Sequence, residues 1–160
     1  MTATAPLDPK LVSLLWAGPE RSQEIAAIHQ ELFDPAWDEP AVRALLDHPA
    51  ATALVALFGY PKVAVGFVLG QLSADEAEIL SIGVAKSWQR KGLGRRLMEG
   101  LVRAVSRAEA KSLHLEVADD NTPALVLYHH LGFKEAGRRK DYYVRKNNDR
   151  ADALRLALKL

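Results

Sequence analysis

Between Trp88 and Gly100 the chain reads WQRKGLGRRLMEG, two glycines two residues apart among four basic side chains. An apolar run, AEILSIGVA, stops just before it, and a helix-like pattern begins just after. That order makes an anion site. The first backbone N–H groups of a helix have no intrahelical partner, and the helix dipole favours negative charge there. Gly92 and Gly94 let the backbone approach a phosphate and adopt positive φ. Arg90, Lys91, Arg95 and Arg96 add charge at the rim. Two well-known phosphate loops do not match. Nothing supplies the Gly-Lys-Ser/Thr of a Walker loop, and the third glycine of a dinucleotide fingerprint is replaced by Leu97. Taken alone, Gly-Leu-Gly reads equally as a surface turn with solvated arginines.

Other residue types narrow the chemistry. The chain has 160 residues, 49% of them hydrophobic, a net charge of +1 and no cysteine. Disulfides, a cysteine nucleophile and thiolate metal sites are thereby excluded, which fits a reducing, cytoplasmic setting. The opening MTATAPLDPKLVSLLWAG lacks a basic leader region, and no apolar run reaches the roughly 20 residues of a membrane span. A near-neutral total argues against a nucleic-acid binder, although Lys86 to Arg107 holds seven basic residues and only Glu99 as an acid. His129 and His130 are adjacent and so diverge on a helix. They, with His29, His48 and His114, lack metal-ligand spacing, and no metal site is expected. Acids gather at Asp34, Asp38 and Glu39, and again at Glu116, Asp119 and Asp120. They form either an acidic mouth for a cationic partner or a solvated surface.

The elements that must hold these residues follow from periodicity. GPERSQEIAAIHQELF carries Ile25, Ile28 and Leu32 on one helical face, with Pro19 in its first turn. Asp38 caps a second helix bearing Val42, Leu45 and Leu46 and ending before Pro49. ATALVALFGY and VAVGFVLGQL are strands joined by Gly59-Tyr60-Pro61-Lys62, and AEILSIGVA is a third. After the loop, a helix turns Leu97, Leu101, Val102 and Val105 inward. SLHLEVA is a strand, NTPALVLYHHLGF a short helix ending at Gly132, and KEAGRRKDYYV a strand or hairpin arm. The final ADALRLALKL alternates through Leu154, Leu156, Leu158 and Leu160, a strand with one buried face. The expectation is a single α/β (α+β) domain with a mixed central sheet flanked by helices.

With these elements in order, SWQRKGLGRRLMEGLVRAV resembles the Q/R-x-x-G-x-G/A signature of the GNAT acyltransferases, with Gln89, Gly92 and Gly94 in register. AEILSIGVAKSWQRKG is similar to the strand and turn that precede that signature, departing at Gly83, where alanine is common, and at Lys86, where proline is usual. NTPALVLYHHLGF matches a second segment of the family at Asn121, Ala124, Tyr128, Gly132 and Phe133. Within the superfamily, DEAEILSIGV, LHLEVADDNTPALVLYHHLGF and RRKDYY look like the RimI branch, bacterial enzymes that acetylate the N-terminal alanine of a small-subunit ribosomal protein. FDPAW is an inexact match to the Phe-Pro-Trp loop of that branch.

The resemblance implies one acetyltransferase domain over residues 1–160, acting with acetyl-CoA and no metal. The pyrophosphate would lie on the N–H groups from Gln89 through Arg90, Lys91, Gly92 and Leu93 to Gly94. The pantetheine arm would pair with backbone at Ile82, Gly83 and Val84, as a peptide adds to a sheet edge, and an N–H near Val84 would meet the developing oxyanion. Asn121 would either hold the pantetheine or cap the following helix, a task Thr122 with Pro123 at N1 could share. The absence of cysteine rules out an acyl-cysteine intermediate and favours direct attack of the amine on the bound thioester. Glu116 would be the base, with Glu78 in reserve, and Tyr128 would protonate the sulfur. An α-amine of pKa near ~8 is roughly a tenth neutral at about pH 7, whereas a lysine near ~10.4 must give up about 4.6 kcal/mol. The difference fits a protein N-terminus as acceptor, in the RimI branch that of a ribosomal protein, with a small-molecule amine or an internal lysine as alternatives. Tyr142 and Tyr143 would shape the acceptor slot or cover the sheet.

Overall fold

The opening segment supplies a strand that its short apolar run did not announce. In the computed structural model, which describes residues 7–160, Ser13–Trp16 (β1) pairs antiparallel with Ala51–Phe58 (β2). The first six residues, part of the segment read above as no leader, lie outside the described residues. Pro19 starts a separate 3-10 turn, Pro19–Arg21, and the first α-helix is Ser22–Leu32 (α1). The second, Glu39–Asp47 (α2), begins where Asp38 accepts a hydrogen bond from the Ala41 N–H at 3.0 Å.

Val63–Ser73 (β3) pairs antiparallel with β2 and with Glu76–Val84 (β4). Then come Leu93–Arg107 (α3), Ser112–Ala118 (β5), Thr122–His130 (α4), Lys134–Val144 (β6) and Arg150–Lys159 (β7). The seven strands form one mixed sheet in the order β1-β2-β3-β4-β5-β7-β6, and β4 with β5 is its parallel pair. KEAGRRKDYYV is therefore both things expected of it, a strand at the sheet's edge and one arm of a hairpin.

Each face of the sheet has its own core. α3 buries Leu93, Leu97, Met98, Leu101 and Val105 against one face, together with Leu113, Leu115, Val117, Leu154 and Leu156. Val102 is only half-buried. On the other face Ile25, Ile28, Val42 and Leu46 from α1 and α2 cover Val55, Leu57, Phe67 and Leu69. A fully buried leucine or valine stabilises by roughly 1.5–3 kcal/mol, so these two layers fix where every strand lies.

One irregularity matters for the site. Leu69 pairs with Ser81 and Gly70 with Ile79, leaving Leu80 as an extra residue. Such a bulge bends the strand and reverses its side-chain parity. Ala77 and Ile79 before it, and Ile82 and Val84 after it, all pack on the α3 face.

Candidate active site

β4 and β5 pair only from Glu76–Glu78 to Ser112–His114. Beyond that point both strands continue, β4 to Val84 and β5 to Ala118, without a ladder between them. The strands splay into a cleft of about 1040 Å³. Beyond Glu78 this edge of β4 has no strand partner for its amides and carbonyls. Ala85 donates its N–H to Val65 of β3 at 2.9 Å. Alternation along a strand then turns the N–H and carbonyl of Val84, and those of Ile82, toward the open side. The Val84 carbonyl receives the Gln89 side-chain amide at 3.0 Å. Gln89 thus fastens the loop to the strand end.

The loop has the conformation its glycines permit. Gly92 has φ +81° and is the N-cap of α3 without a capping side chain, while Arg90 has φ +62°. The first helical hydrogen bond is Arg96 N–H to the Gly92 carbonyl at 3.1 Å, so the amides of Leu93, Gly94 and Arg95 have no intrahelical partner. A Cβ added at Gly92 would meet nothing within 4 Å. Bare amides over open space are what a phosphate requires.

The residues expected of the site come together. Ile82, Gly83, Val84, Gln89, Arg90, Gly92, Leu93 and Gly94 line the cleft on one side. Glu116, Asn121 and Tyr128 line it on the other. Lys91 is exposed on the loop and is not part of the lining, and Glu78 is exposed on the paired stretch of β4, outside the cleft. Asn121 is the N-cap of α4, its oxygen accepting from the Ala124 N–H at 3.3 Å, and Thr122 is already helical. Tyr128 is 6% exposed, rests against Phe133, and burial pushes its hydroxyl up to about 12.

One expectation about charge does not hold, and one of the two alternatives left open for the acids loses support. Arg96 is spent on the carbonyls of Pro9 and Val12, both at 2.9 Å, and Arg95 pairs with Glu99 at 2.7 Å, so neither is free at the rim. Nor is the mouth acidic. Basic residues of the β6–β7 hairpin pair Glu116 with Arg139 at 3.2 Å, Asp119 with Arg138 at 3.4 Å, Asp120 with Arg145 at 2.6 Å and Asp34 with Lys146 at 2.9 Å. Asp38 caps α2, and Glu39 binds the Ser22 hydroxyl and Arg43. The hairpin's contribution is invisible in the chain order because it arrives from 19 to more than 100 residues away.

Two cleft residues, Trp88 and His29, are given no role by the sequence, and they join the FDPAW loop and Tyr143 there. Trp88 is buried against Phe58, rings 4.6 Å apart, and anchors the loop from below. His29, Phe33, Pro35 and Trp37 form the wall on the α1 side. His29 follows Ile25 by four residues, and that spacing already puts it on the buried face of α1. Tyr143 lines the cleft, its hydroxyl pKa raised by burial and by Glu116 and Tyr142, whereas Tyr142 is exposed beside Arg139. Gly83 has a packing reason: a Cβ there would come within 2.9 Å of both Leu32 and Phe67. Alanine, common at that position in the family, would require the Leu32 and Phe67 side chains to shift.

A splayed parallel pair, a bulged strand and a glycine loop opening a helix are joined by a match of residues 22–133 to the model of the acetyltransferase (GNAT) family. The chain belongs to the GNAT acetyltransferase family. It is 40% identical over 92 residues to the ribosomal protein bS18-alanine N-acetyltransferase of Escherichia coli, a stretch covering 58% of this chain and 62% of that one. The match thus spans about six-tenths of that relative's length. It is 33% identical over 129 residues to the N-alpha-acetyltransferase RimI of Mycobacterium tuberculosis, covering 76% and 78%. The crystal structure of the E. coli ribosomal-protein-S18-alanine N-acetyltransferase superposes with a TM-score of 0.84 at 28% identity, over 92% of this chain and 93% of that one. No helix among the described residues is long and apolar enough to cross a membrane.

Proposed function

We propose that this GNAT protein transfers an acetyl group from acetyl-CoA to the free N-terminus of a protein, the acceptor beginning with alanine and coming from a ribosomal protein. The observation that carries the reading is the parting of β4 from β5 directly above the Gly92 loop. It leaves a strand edge with the spacing of a peptide partner, ending at a cluster of free helix amides. Acetyl-CoA, whose two pantetheine amides suit such an edge, supplies an acetyl group activated as a thioester.

The chain's own residues then have distinct tasks. The amides from Arg90 to Gly94 hold the diphosphate, with the Arg90 side chain beside them, while the Gln89 N–H is already given to the Lys86 carbonyl at 3.3 Å and Gln89 serves through its side chain. The edge of β4 at Ile82 to Val84 orients the pantetheine arm, and the Val84 N–H faces the carbonyl oxygen as it gains charge. Glu116, on the opposite wall and 23% exposed, accepts the proton lost by the attacking nitrogen, directly or through water. Tyr128 donates to the sulfur as the carbon–sulfur bond breaks, so that one proton leaves nitrogen and one reaches the thiol. Asn121 fixes the start of α4, which carries Tyr128. The choice of an N-terminal alanine as acceptor is drawn from the E. coli relative, and that of a protein α-amine from the M. tuberculosis one as well. The aromatic wall of Phe33 and Trp37 suits a small first side chain.

The deciding experiment is acetyl transfer from acetyl-CoA to short peptides beginning with Ala, Ser or Met, to the same peptides with blocked termini, and to small amines, read by mass. Transfer to the free Ala terminus is expected. Transfer only to internal lysines or to small amines would replace the acceptor, and none at all would leave an acyl-CoA-binding module.

A further inference from the structure

His29 has no task in the reaction just described, yet it is one of two polar residues fully buried among the described residues, at 3% exposure. Its Nδ1 accepts a hydrogen bond from the backbone N–H of Trp37 at 3.0 Å. The bond fixes the tautomer, because a nitrogen that accepts an N–H cannot carry a proton of its own. The ring is also clasped: Trp37 stacks at 4.6 Å with 12° between the planes, and Phe33 lies at 4.4 Å and Phe67 at 6.3 Å. The segment from Phe33 to Trp37 connects α1 to α2 and walls the α1 side of the cleft. Its one other polar side-chain tie outside the segment, among the described residues, is the exposed pair Asp34–Lys146, and Trp37 also packs on the α1–α2 core.

We propose that His29 is a positioning residue for the acceptor, its neutral ring holding the Phe33–Trp37 wall against which the incoming amine's first side chain is seated. This rests on reading the cleft as an amine-acetylating site. A protonated imidazole donates from both nitrogens, so it would present N–H to N–H at Trp37 and release the wall. Nothing nearby offsets the added charge. Phe67 is the neighbour on β3, and Gly83 and Ser81 face the cleft from β4. On α2, Glu39 is committed to Ser22 and Arg43. Across the cleft Asp34, Glu116 and Asp120 are paired with Lys146, Arg139 and Arg145, and the Tyr143 hydroxyl is uncharged. Burial accordingly holds the His29 pKa below its usual value, and the release belongs to the acid side of neutrality.

Two variants separate the hydrogen bond from the stack. His29→Asn keeps an acceptor oxygen near Nδ1 and does not titrate, and His29→Phe keeps the ring without the acceptor. The KM of an Ala-initiated peptide and the KM of acetyl-CoA are measured for all three forms between pH 5.5 and 8. His29→Phe is expected to raise the peptide KM about fivefold over wild type at neutral and alkaline pH, the worth of one net hydrogen bond, with the gap closing as the pH falls and the wild-type ring protonates, and to leave the acetyl-CoA KM unchanged. The wild-type peptide KM should rise more steeply than that of His29→Asn as the pH falls, the variant correcting for protonation of the peptide amine. In parallel, the Trp37 backbone amide resonance should titrate in the wild type and stay fixed in His29→Asn. Parallel KM curves, an unaltered peptide KM in His29→Phe, or an amide that ignores pH would each overturn the proposal, and the last needs no variant. Absence of transfer by every form overturns the acetyltransferase reading together with this one. The amide titration distinguishes the two failures, because it reports the His29–Trp37 bond without turnover.

Discussion

Replacing Tyr128 by phenylalanine tests the proposed chemistry at one atom. The ring is 6% exposed and packs on Phe133 with centroids 5.7 Å apart, contacts that phenylalanine retains. Burial is the sole cause of the hydroxyl's pKa shift, with no hydrogen-bond partner contributing, so its removal leaves no partner stranded in the fold. Burial raises its pKa from about 10 to about 12. Against a small thiol near ~8.5, full proton transfer to the departing sulfur is then uphill by roughly 5 kcal/mol. The hydroxyl therefore accelerates the reaction mainly as a hydrogen-bond donor to developing negative charge. Such a bond is worth about 1.5–3 kcal/mol, or roughly 10- to 150-fold in kcat. Thiol release at saturating peptide and acetyl-CoA should fall by that factor in Tyr128→Phe, with both KM values nearly unchanged. The sign of the pH effect follows from the same shift. A folded-state pKa above the unfolded one contributes stability that is fully present below about pH 10 and is lost as pH rises toward 12. The wild-type rate should consequently show no tyrosine limb between pH 6 and about 10. A kcat within twofold of wild type, or a deprotonation limb below pH 10 that vanishes in the variant, would refute the assignment.

Three further outcomes are expected. Gly92→Ala, at φ +81°, should cost about 1–2 kcal/mol in chemical denaturation and raise the acetyl-CoA KM, because the strain falls on the loop proposed to hold the diphosphate, while the peptide KM holds. Glu116→Gln should lower kcat by about 10²–10⁴ near neutral pH and recover part of it at high pH, where the amine is already neutral; a flat deficit across pH argues against a base. Asp38→Ala should lose about 1 kcal/mol of stability with the α2 cap and leave the peptide KM unchanged, since Asp38 is occupied by the Ala41 N–H and the mouth's acids are already paired. A several-fold rise in peptide KM would restore the acidic-mouth idea.

The elements with strong periodicity were legible in the chain. Ile25, Ile28 and Leu32, or Leu97, Leu101 and Val105, repeat at helical spacing because one stripe of each helix must leave water. The glycine loop could be read because positive φ at Gly92 and bare helix amides are local properties. β1 was not, since four residues with no alternation are fixed only by the β2 edge they cover. The bulge at Leu80 escaped notice for the same reason: register belongs to the pair of strands, not to either one.

The amino-acid order by itself determined the anion loop, the two motif segments and the residues able to move protons, for these depend on neighbours within a few positions. Whether they meet was decided in three dimensions. The parting of β4 and β5 brings Val84 and Glu116 to one cleft, and the β6–β7 hairpin lays Arg139, Arg145 and Lys146 on acids that a linear reading leaves unpaired. Charge acts through space at a few ångströms, and that distance is set by the packing of the sheet rather than by separation along the chain.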